Sequence, residues 1–200
     1  MASSVVIGMT GATGQIYGIR ALELVRETDV ESHLILSESA KINIKQEAGY
    51  EVERVEHLAD NVYNYKNVGA PMASGSFKTN GMLVVPCSMK TLSHVAHGSS
   101  GNLITRSADV MLKERRPLGL MPREKPFNRI HLKNMLEVTD AGATVIPPFP
   151  SFYQNPDSID EMVTRTMARA LSHVGVEIEF EEWNGIGADS STKVEGDLST

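Results

Sequence analysis

Short apolar runs recur along the chain at 5–9, 33–36, 82–86, 118–121 and 144–147, each followed by a stretch of helical periodicity. An apolar run bounded by turn residues predicts a strand buried on both faces, and strands alternating with amphipathic helices predict β-α units in a parallel sheet. A sixth short strand is predicted at 61–66. Over 103–116, Ile104, Ala108, Met111 and Leu112 repeat at helical spacing, with Arg106, Asp109, Lys113 and Arg116 opposite them. Over 157–174, Ile159, Met162, Val163, Ala170, Leu171 and Val174 form a second stripe, Arg165 and Arg169 lie on its polar side, and Gly175 is the stop. The expected fold is a single α/β domain over 1–184, a three-layer α/β/α sandwich around a Rossmann- or flavodoxin-like parallel sheet. The Gly/Ser/Asp/Thr-rich end, 185–200, is expected to be a mobile tail.

Composition narrows the class. The chain has 200 residues, 41% hydrophobic and 22% charged, which suits one domain with a real core. Its net charge of −6 gives no global pull toward nucleic acid or an anionic membrane. Cys87 is the one cysteine, so no internal disulfide forms, and no Cys/His spacing suggests a metal site. Residues 1–4 lack a basic leader, and no apolar run approaches the ~20 residues that span a bilayer. A cytoplasmic location is expected.

In an open parallel sheet, ligands bind beyond the carboxyl ends of the strands. The stretches 10–14, 37–39, 87–91, 122–126 and 148–153 follow the strands and should build the site. GMTGATGQIYG at 8–18 can offer backbone N–H groups and a positive helix end to an anion. It also looks like a nicotinamide turn, but Gly8, Gly11 and Gly14 do not make G-x-G-x-x-G, and no tyrosine is followed by Lys four residues later. After the second strand, Ser37 suits a phosphate or ring contact, and Glu38 keeps the dinucleotide reading open. In VVPCSMKTLSHVAHG at 84–98, Ser88 and Thr91 bring hydroxyls and Met89 and Lys90 bring N–H groups to a second such turn. Cys87 is read as a small buried residue rather than a nucleophile, and His94 and His97 as solvent or subunit contacts rather than metal ligands.

Arg123 and Glu124 stand at a strand's carboxyl end, where an Arg can grip phosphate and an enclosed Glu can move protons. Tyr153, ahead of the last helix, and Arg169 on it could clamp one more phosphate. Glu47 falls in a helix's last turn before Gly49, against the dipole, which leaves open a solvated carboxylate or one with another purpose. Several anion-binding turns, two acids and no metal set suggest two phosphorylated ligands in one site.

MTGATGQIYG, PCSMKTL, NLITRSADVMLKERRPLGLMPREKPF, IHLKNML and PPFPSFYQNP resemble, in wording and order, the UbiX-like flavin prenyltransferases, over residues 5–176. That resemblance implies a flavodoxin-like sandwich assembled as trimers and dodecamers, binding FMN and needing no metal. It implies transfer of a dimethylallyl group from dimethylallyl phosphate to N5 and C6 of reduced FMN, giving prenylated FMN for a UbiD-type decarboxylase. FMN would meet Gly11, Ala12, Thr13, Ser37, the turn Ser88, Met89, Lys90 and Thr91, and Arg123. The prenyl phosphate would meet Ser74, Lys113, Glu124, Tyr153 and Arg169, at a subunit boundary. Arg106, Glu47 and Glu124 match family active-site positions, and Thr13 stands where family members usually carry Ser. The rivals are an FMN-dependent cysteine decarboxylase of the same superfamily and a flavin carrier without catalysis.

Overall fold

Six strands form where the apolar runs stand: β1 (Ser4–Met9), β2 (Glu31–Leu36), β3 (Asn61–Asn64), β4 (Gly81–Cys87), β5 (Leu118–Pro122) and β6 (Thr144–Val145). The computed structural model describes residues 3–179, so the tail expected over 185–200 lies outside the described residues. The helices are α1 (Gln15–Arg26), α2 (Glu38–Asn43), α3 (Val52–Glu56), α4 (Met89–Ala96), α5 (Leu103–Lys113), α6 (Arg129–Asp140) and α7 (Ile159–Ser172). A π-helical turn (Ile44–Ala48) continues α2, and 3-10 turns lie at Pro71–Ala73 and Phe152–Gln154.

Every strand pairing is parallel, in the order β3-β2-β1-β4-β5-β6. With the four-residue edge strand β3 set aside, the winding is that of a flavodoxin. Side chains alternate across the sheet with period two. Val5, Ile7 and Met9 of β1 and Leu83 and Val85 of β4 point to one core, shared with Ile19, Leu22, Met167 and Leu171 of α1 and α7. Val6, Met82 and Val84 point to the other, with Leu92, Ile104, Met111 and Val138 of α4, α5 and α6. These side chains are fully buried, each worth about 1.5–3 kcal/mol of transfer free energy. Two cores on one sheet make the three layers.

Element ends move by one to three residues from expectation. The fifth helix was expected to reach 116 but stops at Lys113. Arg115 takes the left-handed conformation (φ 55°), its N–H donates to Leu112 O (3.1 Å), and the Arg116 N–H reaches Met111 O (2.9 Å). That is a Schellman ending with arginine in the place glycine usually holds. The last strand was expected over 144–147 but closes at Val145, since Pro147 and Pro148 bring no N–H to a ladder.

Candidate active site

The strand order reverses between β1 and β4, and the turns that follow them open toward one another there. Thr10 joins the two. Its N–H (3.2 Å) and hydroxyl (2.7 Å) both donate to Pro86 O, and its Oγ1 accepts the N–H of Ser88 (2.7 Å). Gly11 lies against the third turn: a Cβ there would collide with the side chain of Ser39. Ser37 donates its N–H to Met9 O (3.0 Å) and caps α2 by accepting the Ala40 N–H (3.1 Å). Ser88 caps α4 likewise, accepting from Thr91 N (3.2 Å) and lying 3.1 Å from the Thr91 hydroxyl. The N–H groups of Met89 and Lys90 open the first turn of α4, where a helix favours an anion.

The first turn is organised differently from expectation. Gly14, left-handed at φ 97°, starts α1 without a side-chain cap of its own. Glu47 supplies it: the carboxylate accepts the N–H groups of Gly14 and Gln15, the second at 3.0 Å. An acid placed against its own helix dipole is thus placed with the dipole of α1. The anion at this helix start is a side chain, so a phosphate must be held by the neighbouring turns. Beneath it, Gln15 is fully buried and donates to Thr10 O and Ala12 O, both at 2.7 Å, while its Oε1 has no partner among the described residues. Ala12 is buried and Thr13 half-buried on the turn's surface.

Beyond β5, the Arg123 N–H donates to Cys87 O (3.2 Å), which sets this turn beside the one after β4. Arg123 is half-buried; Glu124 is exposed, and its Oε1 accepts the Lys125 N–H (3.1 Å). Tyr153, in the 3-10 turn after β6, is exposed. Arg169 is exposed in the last turn of α7, about 15 Å along the axis from Ile159. Cys87 is fully buried, and desolvation pushes its thiol up to about 12, so it remains a protonated packing group at neutral pH. His97 Nδ1 lies 2.8 Å from Ser93 O, and no group of three potential metal ligands exists among the described residues. Glu38 opens α2 and lines a separate cavity of about 210 Å³ with Lys41, Glu56, Tyr63 and Tyr65.

A second group of expected site residues gathers elsewhere. Arg106 Nε donates to Ala73 O (3.1 Å), and its Nη1 pairs with Asp109 (2.7 Å). Ser74 Oγ lies 2.9 Å from Ser76 Oγ. Lys113 pairs with Glu114, and Arg116 donates to the carbonyls of Gly75 (2.6 Å) and Phe77. Lys113 ends α5 five residues before Leu118 opens β5, so it stands at the amino rim of the sheet. Glu124 follows β5 at the carboxyl rim, one five-residue strand away, about 16 Å. One chain therefore does not bring Ser74 and Lys113 to Glu124.

Gln15 and Glu114 are organising residues with no signal in the sequence, whereas Thr10 falls in the stretch 10–14 expected to build the site and Arg116 on the expected polar face of the fifth helix, without the bonds that each makes being foreseen.

The model of the Flavoprotein family matches residues 2–171. The flavin prenyltransferase UbiX of Neisseria meningitidis is 49% identical over 187 residues, covering 93% of this chain and 99% of that one. The crystal structure of AnUbiX (PadA1) in complex with FMN and dimethylallyl pyrophosphate superposes with a TM-score of 0.90 at 47% identity, over 93% of this chain and 100% of that one. A dodecameric FMN-dependent UbiX-like decarboxylase from Escherichia coli O157:H7 gives 0.87 at 43%, over 91% and 100%. Identity this high, end to end and on one fold, means that the chain belongs to the UbiX-like flavin prenyltransferases.

Proposed function

We infer that this protein transfers a dimethylallyl group from dimethylallyl phosphate to N5 and C6 of reduced FMN, yielding prenylated FMN. The observation that carries this is the shared fold and near-half identity with a UbiX solved with FMN and dimethylallyl pyrophosphate. The residues at the switch point fit FMN. Gly11 leaves no room for a side chain of its own, α4 opens with N–H groups that its cap does not take, and Gln15 keeps a buried acceptor oxygen without a partner among the described residues.

In this reading Gly11, Ala12 and Thr13, Ser37, the turn Ser88–Met89–Lys90–Thr91 and Arg123 hold FMN. Reduced FMN supplies the nucleophilic positions. Thr13 would face the flavin from the first turn, with Glu47, fixed by two backbone N–H groups, beside it. Lys113 and Arg169 hold the leaving phosphate with Ser74, Tyr153 and Arg106, so that preset cations meet the charge as it develops. Glu124, beside that phosphate, moves the proton lost from the ring carbon.

Lys113 and Glu124 stand on opposite rims of one chain, so a neighbouring copy supplies one of the two groups. A trimer-based dodecamer answers that need, and a UbiD-type decarboxylase is the consumer of the product. Anaerobic incubation with reduced FMN and dimethylallyl phosphate, followed by mass analysis of the flavin, tests the activity. A flavin heavier by one five-carbon unit is expected. Bound but unmodified flavin would favour the cysteine decarboxylase or the carrier.

A further inference from the structure

Three interactions lock the 73–77 segment onto α5 and the turn that ends it. Arg106 donates to Ala73 O, Arg116 donates to Gly75 O and Phe77 O, and the Lys113–Glu114 pair rests on Gly75. The last contact is tight. A Cβ on Gly75 would collide with Glu114 Oε1 and stand 2.8 Å from Lys113 Nζ. Gly75 has no positive φ, so its lack of a side chain serves this close approach rather than its backbone conformation.

We propose that Glu114 is a positioning residue for the prenyl donor, holding the Lys113 ammonium against the Gly75 backbone beside Ser74, with Gly75 as the gap that admits the pair. This rests on the reading of Lys113 as a ligand of the donor's phosphate. An unpaired lysine at a helix end samples many rotamers, and ordering it on binding costs free energy. Lys113 is about half-exposed, and Glu114 restricts it before the donor arrives. An ammonium has three donors, so Lys113 can keep Glu114 and still offer two N–H groups to phosphate oxygens. Lys113 and then Arg116 hold the Glu114 carboxyl below the usual range, so it stays ionised throughout the neutral range. Both of its cations thus lie within two residues of it in the chain.

The test compares steady-state kinetics of Glu114→Ala, Gly75→Ala, Glu114→Gln and Lys113→Ala, with FMN affinity measured in parallel. Glu114→Ala and Gly75→Ala should each raise the KM for dimethylallyl phosphate about fivefold, as loss of one well-placed ion pair would. The kcat and FMN affinity should stay near those of the parent. Glu114→Gln, which keeps an acceptor oxygen, should recover part of the loss. The Glu114→Ala/Gly75→Ala double variant should be no worse than either single one, because both break the same contact. A parent-like donor KM in Glu114→Ala, or additive losses, would overturn the proposal. If Lys113→Ala raises the donor KM while Glu114→Ala and Gly75→Ala do not, this inference alone fails. If Lys113→Ala leaves the donor KM unchanged, the role of Lys113 fails with it.

Discussion

At the carboxyl rim of the sheet α1, α2 and α4 begin, and their leading N–H groups meet Glu47, Ser37 and Ser88. At the amino rim α5, α6 and α7 end, and Arg115, Arg116 and His173 line a cavity of about 500 Å³ with Gly142 and Thr144. In a parallel sheet every connecting helix runs the same way, so positive helix ends collect on one rim and negative ends on the other. The side chains answer in kind. Acceptors and an acid sit where N–H groups gather, and cations sit where carbonyls gather. At the amino rim Lys113 pairs with Glu114 and Arg116 with the carbonyls of Gly75 and Phe77, whereas at the carboxyl rim the proposed reading leaves the first N–H groups of α4 to a ligand. The expected catalytic set nevertheless draws on both rims, because Lys113 ends a helix and Glu124 follows a strand.

The strongest test of that division is complementation between chains. Lys113→Ala and Glu124→Gln oligomers should each lose about a hundredfold or more in kcat, the usual worth of a general acid or base or of a cation on a leaving group. Subunit exchange between the two should restore measurable flavin prenylation, since some interfaces then join an intact Lys113 to an intact Glu124. No recovery after proven exchange would mean that one chain supplies both groups.

Gly11→Ala probes the carboxyl rim. Its Cβ meets Ser39 on a neighbouring turn, so overpacking should cost about 1–3 kcal/mol and lower the Tm by several degrees. FMN affinity should fall in the same variant, because the turn must shift. A parent-like melting curve would show that the three turns are not one packed floor.

The smallest effect belongs to the amino rim. Arg115→Gly removes the penalty of a left-handed arginine (φ 55°) but adds backbone entropy to the unfolded chain. A gain of less than about 1 kcal/mol is expected, with prenyl transfer unchanged. Thermal unfolding and the mass assay read both. Loss of activity there would make the amino-rim cavity part of the catalytic machinery.

The carboxyl rim was the more legible of the two. Strands β1, β4 and β5 announce themselves because both faces are buried, and the turn that follows each is punctuated by glycine, serine or proline. Ser37 and Ser88 were expected as turn hydroxyls, and both are found capping helices. Glu47 looked misplaced against its own helix dipole, and the anomaly pointed the right way. Its partner, the start of α1, is 32 residues distant in sequence and left no local trace. The amino rim was harder. Arg115 carries no glycine signal for a helix end, so the apolar stripe predicts a helix three residues longer than α5 is. The 73–77 segment is held through its carbonyls, which every residue type possesses, so its composition does not announce Arg116 as the holder. Nor does one sequence report what a second copy brings.

Thr10 carries a mechanical consequence. Three hydrogen bonds at one residue fasten the turn after β1 to the end of β4 and the turn beyond it, two through a hydroxyl whose single proton is already given to Pro86 O. These bonds hold the two walls in one arrangement, so that, in the proposed reading, flavin binding between them would order little that was loose. Binding free energy otherwise spent on assembling a pocket remains for holding two reactants in line. Thr10→Val would keep the shape and the backbone bond to Pro86 O but remove both hydroxyl bonds, loosening a rigid mould toward a hinge.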